Sequence, residues 1–261
     1  MKILFALLAV LPVAALAGPF DGTWKVQPDA TQFATKPEVW SINMGVYDCG
    51  SCAPKVRIKA DGSDQPVSGH PYYDTIAVKV VSDTTVRLTY KKAGKVMFDN
   101  TDTVSADHNT LTLKWTDQSG TQAVTGENTF KRGAGVAANG PAGAHAVSGI
   151  WQFDAVKSIS DAGALVSYLE TADGMKMSNP TGQSYEAKFD SKEVPLLGDA
   201  GNTTIALKRV GPREIEETDR HDGKVSDVIA IRVSADGRKL IVSDNDTLHD
   251  RTDVYVLVKQ P

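Results

Sequence analysis

The chain has 261 residues, 41% hydrophobic and 23% charged, with 28 Lys and Arg against 32 Asp and Glu for a net charge of −4. Weak acidity without basic clusters speaks against nucleic acid or anionic lipid as the partner, because both reward grouped Lys and Arg. Met1-Lys2 followed by the apolar run Ile3 to Ala17, ending in Ala15-Leu16-Ala17, reads as a signal peptide over residues 1–17. The mature protein is therefore expected to start near Gly18 and to be periplasmic or secreted. No later stretch approaches the roughly 18 apolar residues that a helical span needs, so no transmembrane segment is expected in the mature chain.

Beyond the leader the chain says much the same thing twice. Thr75-Ile76-Ala77, Gly94-Lys95-Val96 and Val104-Ser105-Ala106-Asp107 recur without a gap as Thr204-Ile205-Ala206, Gly223-Lys224-Val225 and Val233-Ser234-Ala235-Asp236. Such register indicates a tandem duplication. We expect a first unit over residues 20–132, a flexible Gly/Ala-rich linker over 133–147 and a second unit over 148–261. In the first unit, runs near Gly22 to Val26, Glu38 to Val46, Lys55 to Ala60, Thr75 to Val81, Thr85 to Lys91, Val96 to Val104, Thr110 to Thr116 and Ala123 to Lys131 alternate apolar and polar residues. Period two is the signature of a strand with one face on a core. The turn pairs Asp61-Gly62, Ala93-Gly94, Asp173-Gly174, Asp222-Gly223 and Asp236-Gly237 suit tight hairpins. The expected fold is all-β: two small antiparallel meanders of about eight strands each, forming either a closed barrel or a two-layer sandwich, with the barrel favoured because closure leaves no long edges bare. Only Ile159 to Glu170 offers a short helical alternative.

Each unit opens on Gly-x-Trp, as Gly22-Thr23-Trp24 and Gly149-Ile150-Trp151. This resembles the opening strand of the calycin barrels (lipocalins, avidins and small bacterial protease inhibitors), in which the tryptophan plugs one barrel end. Through Ala60-Asp61-Gly62 and the segment Gln65 to Thr75, the tandem arrangement is also similar to secreted bacterial proteins with lipocalin-like repeats. The resemblance implies barrel folds, core roles for Trp24 and Trp151, and Arg132 as the match to the arginine that covers the plug. It implies no particular activity. The units are shorter than a typical lipocalin and lack its closing helix.

Candidate chemistry concentrates in the first unit. Cys49 and Cys52, with Gly50 and Ser51 between them, read as a disulfide in an oxidising compartment. A redox centre or a metal site completed by His70 are the competing readings. Trp40, Tyr47, Tyr72, Tyr73 and Trp115 have no aromatic counterparts in the second unit. With His70 and Asp74 they form the candidate ligand-binding set, rigid aromatics beside a Pro-set loop. In the second unit Glu217 and Asp219 replace Leu88 and Tyr90, a carboxylate pair suited to a wet rim, to a cation or to acid/base work. No nucleophile, phosphate-loop or paired-histidine metal motif is present in the sequence, and no cofactor is expected. The expected function is a non-catalytic binding protein for an unknown small molecule or envelope ligand. The alternatives are an inhibitor or assembly factor docking on another exported protein, and a metal or redox function at the cysteines.

Overall fold

The computed structural model describes residues 18–34 and 36–261, so the leader read over 1–17 lies outside the described residues. The strands, in chain order, are β1 (Gly22–Val26), β2 (Glu38–Asn43), β3 (Val46–Cys49), β4 (Val56–Lys59), β5 (Asp61–Pro66), β6 (Thr75–Ser82), β7 (Thr85–Lys92), β8 (Lys95–Val104), β9 (Thr110–Asp117) and β10 (Val124–Arg132). The second half continues with β11 (Gly149–Ile159), β12 (Leu165–Glu170), β13 (Gly174–Ser178), β14 (Ser184–Lys188), β15 (Val194–Pro195), β16 (Thr204–Gly211), β17 (Glu214–His221), β18 (Lys224–Val233), β19 (Lys239–Asp246) and β20 (Arg251–Lys259). Between β11 and β12 stands one α-helical turn, α1 (Asp161–Ala164), so the Ile159 to Glu170 stretch is strand, turn and strand. No described helix is long and apolar enough to cross a membrane.

The strands form two antiparallel sheets of ten strands, each curled into a nearly closed barrel. Reciprocal backbone bonds between Ser184 and Leu197 draw the ends of the second sheet together. Ten strands replace the expected eight for a local reason. Met44 and Gly45 take φ of 49° and 73°, as do Ala93-Gly94 and Asp222-Gly223 with φ of 49° and 79°, and 49° and 73°. Two consecutive positive φ values make the type I′ turn that matches strand twist. The run from Glu38 to Val46 is therefore a hairpin, β2 and β3. Asp61-Gly62, expected as a turn, lies within β5 at an irregularity of the β5–β6 register.

The alternation read from the sequence holds inside each barrel. Ile76, Val78, Val86, Leu88, Val104 and Leu111 are buried in the first core, and Ile205, Leu207, Ile215, Ile231, Val233 and Leu240 in the second. These side chains face inward because successive strand residues point to opposite faces.

The sheets do not follow the halves of the sequence. β1 pairs with β12 and β20, placing Trp24 in the second barrel. β11 pairs with β2 and β10, placing Trp151 in the first. Each barrel thus completes its wall with the Gly-x-Trp strand encoded before the other one. Both indoles are fully buried and donate Nε1–H to a backbone carbonyl, Trp24 to Phe20 at 2.9 Å and Trp151 to Val147 at 2.8 Å. Arg132 does cover a plug, 4.0 Å from the ring centre of Trp151 rather than over Trp24, where Lys259 stands 5.2 Å away.

The stretch 133–147, expected to be a floppy tether, is pinned. The Arg132 guanidinium donates to the carbonyls of His108, Ala138, Ser148 and Ala146, and His145 N–H donates to the Ile42 carbonyl at 2.9 Å. Ala138 and Val147 are buried. Small residues let this stretch lie flat on the barrel end, and a guanidinium whose donors fan out in one plane can satisfy several loop carbonyls at once. The two barrels also touch directly. Phe33, on the segment linking β1 to β2, sits between Phe153 of the first barrel and Tyr255 of the second, with ring centres 4.3 Å and 6.0 Å away. Thr121 N–H bonds the Thr181 carbonyl at 2.8 Å, and Lys92 Nζ bridges the carbonyls of Pro71 and Ala200, each at 2.6 Å.

Candidate functional site

The end of the first barrel opposite Trp151 is open and aromatic. Three layers of inward-facing residues follow from the register of β7 to β10. The outermost pairs Tyr90 with Phe98 and Phe98 with Asp117; the next pairs Asn100 with Trp115 and Trp115 with Gly126; the deepest pairs Asp102 with Leu113 and Leu113 with Asn128. Tyr73 closes the side from the loop before β6. Together they line a wide-mouthed cavity of about 430 Å³, walled chiefly by Tyr73, Tyr90, Phe98, Asn100, Trp115 and Asn128. Gly126 is required there, because any Cβ would collide with the Trp115 ring lying across it.

Polar groups in this space lack protein partners. Trp115 Nε1, Asn128 Oδ1 and Asp102 Oδ1 are all buried and make no hydrogen bond. Burial pushes the Asp102 carboxyl up to about 7, and no cation offsets it. Desolvation likewise raises Tyr73 to about 12 and drives Tyr47 and Tyr90 further up, with Asp102 adding to the last two. An unpaired buried carboxyl is among the most expensive arrangements a core can hold, and here it lies one layer below a cavity whose own lining carries two more groups without partners.

The structure divides the sequence-derived candidates. Tyr73 and Trp115 line the cavity, while Tyr47 lies deeper in the core of the same barrel. Trp40 packs edge-on against Phe130 at 5.8 Å, at the periphery of that core. His70 stacks on Tyr73 at 4.5 Å and belongs to a cleft between the barrels, where burial lowers its pKa with help from His249. Tyr72 turns the other way from Tyr73: its hydroxyl lies 3.4 Å from Thr203 Oγ1 and 3.5 Å from His221 Nε2, and its ring packs edge-on against His221. It is an inter-barrel contact. Asp74 is outside the cavity and accepts from Thr75 Oγ1 and Ala93 N–H, which fixes the loop carrying both tyrosines. Cys49 and Cys52 are joined in a disulfide, with Cys49 in the core. Tyr90, Phe98, Asn100 and Asn128 complete the lining, and Asp102 lies below it. Their signal was present, since each falls in the inward phase of its strand.

The second barrel inverts the first. At the positions of Tyr90, Phe98 and Trp115 stand Asp219, Asp227 and Asp244, while Ile229 and Ile231 replace Asn100 and Asp102. Glu217 is buried and accepts a hydrogen bond from Tyr185 Oη at 2.6 Å. Desolvation raises Glu217, with Asp244 adding to it, and raises Asp219, which Glu217 and Asp227 push further, so the pair retains protons above the usual carboxylate range. The carboxylates expected at a rim are therefore largely interior. No cluster of metal-ligating side chains is present among the described residues.

No family model matches the chain, and no curated protein or solved structure is similar enough to it to count as a relative. What can be concluded about the class rests on fold and site: a two-barrel, all-β protein with one aromatic-lined interior and one acidic interior.

Proposed function

We propose that this is an exported, non-catalytic binding protein built of two lipocalin-like barrels, holding a small molecule inside the first. The observation that carries the reading is the cavity itself, about 430 Å³, walled by four aromatic rings and bordered by an indole N–H and an amide oxygen without partners. Ligand pockets combine a mostly apolar lining with a few aimed polar groups, and this one does so. The Cys49–Cys52 disulfide suits an oxidising compartment, in keeping with the leader. Recognition then belongs to the barrel interior, with Tyr72, His70 and Asp74 shaping and anchoring its wall.

Native mass spectrometry of protein recovered from its own envelope tests this. We expect a low-mass adduct that is released on denaturation and is missing from Leu113→Trp, which fills the cavity. A retained second polypeptide with no low-mass adduct would favour docking on another exported protein instead.

A further inference from the structure

The cavity has a polarity as well as a size. Its outer part is a ring of π-faces from Tyr73, Tyr90, Phe98 and Trp115. In and beneath its lining lie acceptors without protein partners: Asn128 Oδ1 and, one layer below the cavity on the same face of β8 as Asn100, Asp102 Oδ1. Asp102 is 8% exposed; it acts on the hydroxyls of Tyr47 of β3 and Tyr90 of β7, on which Tyr73 and Glu38 also act, and burial alone sets its own pKa. None of these is a cation. The hydroxyl and carboxyl groups facing Asp102 can only add negative charge when ionised, so the positive partner that a buried carboxylate demands is missing from the protein.

Resting on the reading that the cavity binds a small molecule, we propose that its ligand is an organic amine on a flat apolar body, bound as the ammonium ion with its N–H donors toward Asp102 and Asn128 and its body among the aromatic rings. Aromatic faces attract cations, most strongly when desolvated. A primary or secondary ammonium fits better than a quaternary one, because both orphaned acceptors require hydrogen-bond donors. The free Trp115 Nε1–H then suits an acceptor or a π-face on the ligand body.

Binding of the cation expels the proton that Asp102 carries below neutrality. Affinity should therefore rise with pH, about ninefold from pH 5 to 6 and about fivefold from 6 to 7, and level off above.

The test is calorimetric titration of the full protein with tryptamine and with tryptophol, its neutral hydroxyl counterpart, at pH 5, 6, 7 and 8. Tryptamine should bind at least tenfold more tightly than tryptophol at pH 8, with the advantage shrinking toward pH 5. Asp102→Asn should remove both the preference and the pH dependence while tryptophol affinity stays within about twofold. Equal affinities for the two probes in the unaltered protein, whatever the variant does, would overturn the amine assignment and leave the cavity reading standing. Failure of both probes to bind at any pH would overturn the two together.

Discussion

Neither half of this sequence should fold alone. Residues 18–132 lack β11, whose Trp151 fills the base of the first barrel, and residues 148–261 lack β1, whose Trp24 does the same for the second. Removing a fully buried tryptophan by substitution alone costs roughly 3–5 kcal/mol, a large share of the 5–15 kcal/mol that holds a typical domain together. Losing its whole strand also strips backbone partners from both neighbours. Each fragment separately should show no cooperative melting transition by circular dichroism, and the two refolded together should form a 1:1 complex that melts cooperatively. Independent barrels joined by a tether would instead give two fragments that each melt cooperatively and elute apart. The same exchange predicts that Trp24→Ala loosens the second barrel and leaves hydrogen exchange in β6 to β9 nearly unchanged.

The second large effect is a loss of stability with rising pH. Asp102 titrates near 7 in the folded protein, where burial raises it, against about 4 in an unfolded chain. The folded state consequently binds an extra proton at Asp102 across this interval, so the contribution of this group to stability is greatest below about pH 4 and is lost as pH climbs through 7. Three pH units correspond to on the order of 4 kcal/mol for Asp102 alone. Glu217 and Asp219 act in the same direction, and their shift extends the decline toward alkaline pH. Urea denaturation from pH 4 to 9 should show this slope. Asp102→Asn should match the parent protein at pH 4 and exceed its stability by several kcal/mol at pH 8. A parent protein whose stability rises between pH 5 and 8 would show that Asp102 is paired in solution. Retaining an isolated carboxyl at that expense is what a binding site does when function opposes stability.

The fold was legible because its signals are local. Ile76-Val78, Val86-Leu88-Tyr90 and Leu111-Leu113-Trp115 alternate with polar residues, and the repeat fixes two copies. Met44-Gly45 hid a hairpin, since methionine is not a turn residue and only the positive φ pair reveals it. The strand exchange was invisible for a deeper reason. Both copies open on the same Gly-x-Trp motif, so either opening strand satisfies either barrel by pattern, and only the long-range pairing of Trp24 with Val166 and Lys259 shows which one it serves. The lining of the cavity was legible in part. Tyr73 and Trp115 were found by composition, whereas Tyr72 was grouped with Tyr73 although neighbouring side chains diverge, and Asp102 was passed over although Val104, Asp102, Asn100 and Phe98 share one inward phase. A carboxylate in that phase was the sequence signal for a buried charge in the first barrel.

The chain's four tryptophans report separately on the central claim, that the first barrel's interior is where a ligand sits. In a ¹⁵N-labelled sample titrated with tryptamine, the Trp115 indole N–H, the one whose nitrogen lies unpartnered at the cavity, should move most, while those of Trp24 and Trp151, locked onto backbone carbonyls, hold still. Shifts confined to Trp40, or none at saturating amine while binding is seen by calorimetry, would place recognition outside the barrel and contradict the account.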